Sequence, residues 1–351
     1  MRNYFKIYLL FCFAIVLAAC STDSETATGI VTDELVPVEF STSTVTRASS
    51  SYVTGTDFGY RSHIGVFAYY TGSAAWSSSA IPNFMYNQMV ERQANGSWLY
   101  APLKYWPNQQ NDKVTFWGYY PHGGTGITVG GSNATAGLPV FSFEVQPYSK
   151  DQVDFMFSNI VTNEMHVTSE RTTATNYRVA LTFRHALSKI VLKVVDDNDQ
   201  DAFSKPKPLA FTATLSGWYD QGDCRSTTSN TVNWSSRVRG GTEFSTEGAE
   251  NDAQRCLLMI PGSLRGTGED AGNGTLDATL QFRYILNGVP FFSDVCHLNA
   301  TGTSTPEDDS DDLDEWEAGK TYTYTYHVDQ RGNYLSIAVN PWYQVGMVFD
   351  N

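Results

Sequence analysis

The stretch Leu276-Asp277-Ala278-Thr279-Leu280-Gln281-Phe282-Arg283-Tyr284-Ile285-Leu286-Asn287-Gly288 decides the fold class. Leu276, Ala278, Leu280, Phe282, Tyr284 and Leu286 alternate with Asp277, Thr279, Gln281 and Arg283. A strand turns successive side chains to opposite faces, so this pattern predicts a half-buried β-strand. Asn287-Gly288 closes it. Both residues tolerate the positive φ of a type I′ turn, which makes the pair a strong short-range hairpin signal.

The same period of two recurs on either side. Val36, Val38 and Phe40 share one face of a first strand, and Ile64, Val66, Ala68 and Tyr70 line another. Lys113-Val114-Thr115-Phe116-Trp117-Gly118-Tyr119-Tyr120 runs into Pro121, and alternation returns at residues 153–157 and 179–183. Residues 190–195 are nearly all apolar, which predicts a strand covered on both faces. Thr321-Tyr322-Thr323-Tyr324-Thr325-Tyr326 is a strand by composition alone. No segment shows a convincing helical period. Many short strands separated by turn residues predict an all-β chain of sandwich domains.

With 351 residues the chain is long enough for two domains. Residues 162–176 are largely polar, with only Met165 and Val167 as sizeable apolar residues, and the domain boundary is expected there, dividing 48–172 from 173–351. Aromatics make up 14% of the chain, too many for a disordered protein. The net charge of −14 argues against nucleic acid as a partner, because a phosphate-backbone binder needs clustered Lys and Arg.

The last strand is the longest. From residue 335 the odd positions read Leu335, Ile337, Val339, Pro341, Tyr343, Val345, Met347 and Phe349. Pro341 lacks an N–H, so the strand there must lie at an edge, bulge or bend. A strand of this length at a chain end is a candidate for pairing with another molecule.

At the other end, residues 7–19 form an apolar run behind Arg2 and Lys6, too short to span a bilayer as a helix and the right length for a signal-peptide core. It ends Leu17-Ala18-Ala19-Cys20, which looks like a bacterial lipobox. Residues 1–19 are therefore expected to be a lipoprotein signal peptide, with Cys20 acylated and inserted in membrane lipid. Cys224, Cys256 and Cys296 then remain, allowing one internal disulfide at most.

Enzyme signatures are missing: there is no H-E-x-x-H, G-x-S-x-G or Walker loop, and the six His are scattered singly. No catalytic residue, cofactor or metal is expected. Asp197-Asn198-Asp199-Gln200-Asp201 begins like a calcium loop, but Ala202 and Pro208 stand where Gly and Glu belong. A solvated loop is the better reading there, as it is for the acidic run at 307–315. Trp98, Tyr100, Tyr105, Trp106 and Trp117 could stack on sugar rings if exposed, and otherwise are packing residues.

Several of these patterns together resemble the fimbrillin family, the FimA/Mfa-like pilins of type V pili. They are the lipobox, Val45-Thr46-Arg47-Ala48, the segment Trp98 to Pro107, and Val114 to Pro121. Asp154-Phe155-Met156, Leu181 to Ile190, Leu257 to Gly262 and Trp316 to Tyr322 follow in order. The resemblance implies two transthyretin-like β-sandwich domains in tandem and a surface-exposed place at the cell outer membrane, in a fimbrium. It also implies that an Arg-specific protease cuts between Arg47 and Ala48, removing the tether and first strand (20–47). A neighbouring subunit's donor strand (335–349) would then fill the vacated groove, making other pilus subunits the partners. The adhesion receptor is not legible. The alternative reading is a monomeric surface lipoprotein that binds glycans through its Trp- and Tyr-rich loops.

Overall fold

The computed structural model describes residues 35–41, 52–53, 58–109, 111–166, 178–198, 206–247, 255–264, 278–298, 313 and 315–342. They are almost wholly β, with a single short 3-10 turn at Ser149–Asp151.

The first half holds β1 (Glu39–Ser41), β2 (Tyr52–Val53), β3 (His63–Gly72), β4 (Met85–Arg92), β5 (Trp98–Leu99) and β6 (Lys113–Tyr120). It continues with β7 (Ile127–Val129), β8 (Phe141–Glu144), β9 (Met156–Ser158), β10 (Val161–Glu164), β11 (Arg178–Ala180) and β12 (Phe183–His185). One antiparallel sheet runs β2-β12-β9-β6-β3-β4-β5, with β10 also bonded to β6. Its centre, β3 and β6, is buried on both sides. Ile64, Val66, Ala68, Val114 and Phe116 enter one apolar cluster, which also takes in Val38 and Phe40. Phe67, Tyr69, Trp117 and Tyr119, on the alternate positions, enter a second cluster. Strand periodicity thus divides one pair of strands between two cores. Gly65 lies opposite Tyr119 in this pairing, and a Cβ there would stand 2.1 Å from the Tyr119 ring.

The second half holds β13 (Ser188–Asp196), β14 (Lys207–Pro208), β15 (Phe211–Ser216), β16 (Gln221–Ser226), β17 (Val232–Val238), β18 (Phe244–Ser245) and β19 (Cys256–Met259). Then come β20 (Gly262–Ser263), β21 (Thr279–Leu286), β22 (Val289–Phe292), β23 (Cys296–His297), β24 (Glu315–Trp316), β25 (Lys320–Val328) and β26 (Tyr334–Pro341). Sheets run β14-β13-β25-β26 and β18-β15-β21-β22, and a third, β17-β16-β8-β7, joins strands from both halves. The hairpin expected at Asn287-Gly288 forms between β21 and β22, with φ of 52° and 78° at the two turn residues.

Pairing changes sides later than 172/173: β12 bonds back to β9 and β2, and β13 opens the next sheet beyond buried Ala186 and Leu187. The polar stretch at 162–176 marks a surface segment, whereas hydrogen bonding decides sheet membership. The core does not divide there either, since the second cluster runs from Phe67 to Trp342. In β13, Ile190, Leu192 and Val194 are buried, but Val191 and Val195 are only half-buried and Lys193 is exposed, so one face is fully covered rather than two. Cys224, Cys256 and Cys296 are all free thiols.

Buried tyrosines are concentrated in the second cluster. Burial pushes the Tyr119 and Tyr322 phenols up to about 12, and those of Tyr69 and Tyr324 are raised further. A raised folded-state pKa means that this stabilisation is complete below the unfolded value of about 10 and is lost as pH climbs through the folded value. The melting temperature is therefore expected to fall steeply above about pH 10. A profile that stays flat to about pH 12 would show that these phenols do not hold the fold.

Candidate functional site

The opening strand occupies a slot. On one side β1 pairs in parallel with β11, Glu39 to Arg178, Phe40 to Val179 and Ser41 to Ala180, and the Leu181 N–H donates to Ser41 O at 3.0 Å. On the other side the Val38 N–H donates to Lys104 O at 2.9 Å, and the Trp106 N–H donates to Val36 O at 2.9 Å. The chain from 36 to 41 is therefore hydrogen-bonded along two backbone edges at once. Alternation does the rest: Val38 and Phe40 point into the core at 1% and 4% exposure, Val36 packs beside them, and Glu39 stays outside.

The floor is aromatic. Phe40 meets the rings of Tyr100 and Phe116 edge-on, at 5.7 and 5.9 Å. The Tyr100 hydroxyl donates to Val38 O at 2.9 Å, and burial pushes its phenol up to about 12, so it stays a neutral donor at ordinary pH. Glu39 meets Arg178 Nε at 2.9 Å on the exposed rim, a contact that contributes little. A cavity of 570 Å³ runs alongside, lined by residues 37–41, the Trp98 to Tyr100 segment, Leu103 and Arg178.

These walls correct the glycan reading. Trp98, Trp106 and Trp117 are buried and Tyr100 is half-buried, which leaves Tyr105 alone of the five well exposed. The flat faces of the other four are spent on core packing and on the opening strand, so those four are not free to receive a sugar ring. Sequence reading noticed this aromatic run without seeing what it encloses, because the strand it grips lies some sixty residues upstream.

Only part of the candidate donor strand lies in the described residues. Leu335, Ile337 and Val339 belong to β26, which pairs antiparallel with β25 from Tyr334 to Pro341. The expected single free strand over 335–349 is therefore corrected: its first half is already bonded within its own chain. Alternation reports which face a residue takes and says nothing of the partner. The edge expected from Pro341 is present, since β26 is the outermost strand of its sheet. Tyr343, Val345, Met347 and Phe349, like Cys20, Arg47 and Ala48, lie outside the described residues.

Trp342 marks where the bonded part ends. It is 3% exposed and stacks on His185 at 3.6 Å and 7°, with its N–H donating to Gly319 O at 2.9 Å. His185 Nδ1 is held by Asp154 Oδ1 at 2.8 Å, and Lys189 Nζ stands 5.6 Å above the indole. At the other end of β26, His327 bridges Asp197 Oδ2 at 2.8 Å and Ser336 Oγ at 2.9 Å. Asp197 thus helps to fix β25, and among the described residues no group of three metal-ligating side chains converges.

A second concavity of 610 Å³ lies between the β16–β17 hairpin and the Glu315–Ala318 segment. Trp234 Nε1 donates there to Ala186 O and Arg237 Nη1 to Pro261 O, so both donors are already committed to backbone.

The sequence profile described as fimbrillin-like matches residues 46–342. The fimbrium subunit Fim1C of Phocaeicola vulgatus is 31% identical over 206 residues, 55% of this chain and 52% of that protein. The match thus spans about half the length of that relative. Among solved structures, one assigned to cell adhesion from Bacteroides uniformis superposes with a TM-score of 0.54 at 18% identity, over 89% of this chain and 99% of the other. Another from Bacteroides ovatus gives 0.51 at 16% identity, over 88% and 99%. At such identities these two likenesses concern the fold alone.

Proposed function

Because the chain belongs to the fimbrillin-like family, we propose that it is a structural and adhesive subunit of a type V-like fimbrium, assembled by strand exchange between copies or with other pilus subunits. The family is one of fimbrial structural subunits rather than enzymes. In this reading Cys20 is acylated, the chain travels to the outer membrane as a lipoprotein, and a protease cuts between Arg47 and Ala48 at the surface.

The observation that carries the proposal is the slot of β1. Residues 42–51 join β1, which pairs with β11, to β2, which pairs with β12. A cut at Arg47 separates the two strands and leaves β2 attached to the body. Ordering each residue costs about 1–2 kcal/mol, and a large buried side chain returns about 1.5–3 kcal/mol. With only Val36, Val38 and Phe40 to bury, the freed strand is weakly held once its covalent link, and the high effective concentration that link gave, are gone. What remains is an apolar trough between two unpaired backbone edges, which another alternating strand can enter. The part of the tail not already used by β26, residues 343–349, supplies Tyr343, Val345, Met347 and Phe349 on one face.

Size-exclusion and electron microscopy of purified chain, before and after treatment with an Arg-specific protease, test this. Trimmed chain is expected to polymerise and untrimmed chain to stay monomeric, while trimmed chain lacking residues 343–351 does not polymerise. Polymers formed equally well without the tail would exclude it as donor.

A further inference from the structure

We propose that Ser336 is an activated nucleophile that accepts an acyl group from carboxylic esters, with His327 as its general base and Asp197 positioning that base. His327 stands on β25 and Ser336 on β26, where His327 pairs with Tyr334 and Ser336 with Thr325. Both side chains lie on the outer face of the sheet, since their chain neighbours Tyr326 and Leu335 are buried. Ser336 Oγ is 2.9 Å from His327 Nε2, and His327 Nδ1 is 2.8 Å from Asp197 Oδ2. A carboxylate only accepts, so Nδ1 carries the proton and the Nε2 lone pair receives the serine hydroxyl. Hydroxyl to base through one ring nitrogen, and base to carboxylate through the other, is the order of contacts that nucleophilic attack by serine needs.

The arrangement is held in place. The Asp197 N–H donates to Val328 O at 3.0 Å, and Asn198 Oδ1 accepts the Gln330 N–H at 2.6 Å. The Tyr334 ring lies parallel to the imidazole at 4.3 Å, and its hydroxyl donates to Asp197 Oδ2 at 3.3 Å. The His327 and Asp197 side chains are only 15% and 10% exposed, whereas Ser336 is half-buried near exposed Ala338. The base is thus shielded and the oxygen can be reached. His185 meets a carboxylate in the same way, through Asp154, but its Nε2 is buried without a partner, so no hydroxyl is activated there.

The sheet edge supplies a donor for the oxyanion. The Trp342 N–H bonds Gly319 O, and in an antiparallel ladder alternate residues bond inward, so Asn340, Ala338 and Ser336 do as well. The Ile337 N–H therefore turns outward, in the parity of Pro341, which has none. Among the described residues no strand lies beyond β26, so this N–H, next in sequence to the nucleophile, is open to the charge that develops on the ester oxygen. In the reaction Oγ bonds to the carbonyl carbon while its proton passes to Nε2. When the adduct collapses, the bond to the alcohol oxygen breaks and that oxygen takes the proton. Acyl-serine and free alcohol result. One such event per chain attaches an acyl group to the subunit, in keeping with a structural rather than an enzymatic family.

Acetylation of the full chain by p-nitrophenyl acetate, followed by peptide mapping, tests this. Ser336 is expected to gain acetyl about a hundredfold faster than exposed Ser77 and Ser79, whose hydroxyls face each other. His327→Gln should slow the gain at Ser336 by about a hundredfold. Asp197→Asn should slow it with the melting temperature unchanged, and Asp197→Glu should restore part of the rate. Acetylation of Ser336 no faster than that of Ser77, or unaffected by His327→Gln, overturns the proposal. An Asp197→Asn loss that only follows a fall in melting temperature overturns the positioning role. Should the variants at 197 and 327 fold poorly, the native chain decides by the ratio of Ser336 to Ser77 alone.

Discussion

Phe40→Ala is expected to release the opening strand and to let the uncut chain polymerise. Truncating a buried phenylalanine costs about 3–5 kcal/mol, from lost transfer energy and the cavity left between Tyr100 and Phe116. Among the inward residues of the slot, only Val38 and half-buried Val36 then remain, and together they hold less than the ordering of the segment costs. The loss therefore surfaces as local undocking rather than as unfolding of the whole chain. Amide exchange should quicken at Leu181 and Trp106, which donate to Ser41 O and Val36 O, while amides of β6 stay protected. Equal acceleration in β6 would mean that the strand is not a separable unit, and the mechanism would lose its first step.

The second large effect concerns the peg. Trp342→Ala removes a stacked contact on His185 at 3.6 Å and a cation–π contact with Lys189, at a cost of about 3–5 kcal/mol capped by the ease with which an edge strand frays. The end of β26 should detach first, exposing the Lys320 to Tyr322 stretch that pairs with Val339 to Pro341. Melting temperature should drop, and exchange in that stretch should rise. Trp342→Phe, which keeps a flat ring over the imidazole, should recover most of the loss. In the polymer, a donor arm no longer pegged at Trp342 becomes longer and looser, so fibres of the alanine variant should dissociate faster in denaturant. Unchanged melting and unchanged fibre stability would show that the tail takes its position from something else.

Much of the architecture could be read from period and punctuation. Thr321 to Tyr326 forms β25 with Tyr322, Tyr324 and Tyr326 buried and the threonines outside, as alternation predicts. Asn287-Gly288 makes its hairpin because positive φ costs these residues little. Val38 and Phe40 share a buried face. Less could be read of the slot. Trp98, Tyr100 and Trp106 looked like sugar-stacking candidates, and only their packing against residues far back in the chain made them a wall. Sheet membership was illegible for a similar reason, since a polar composition locates surface and not the hydrogen bonds that assign β12 to the earlier sheet.

The amino-acid order by itself determined the all-β class, the faces of the strands, the chief hairpin turn and the family, because these follow from side-chain period, turn stereochemistry and local motifs. Tertiary structure alone decided which strands are neighbours, that β1 lies between two backbone edges, and that the tail is spent as far as Trp342. Pairing in a sheet joins residues distant in the chain through backbone groups common to every residue, so a strand's sequence states which way it faces but not whom it meets.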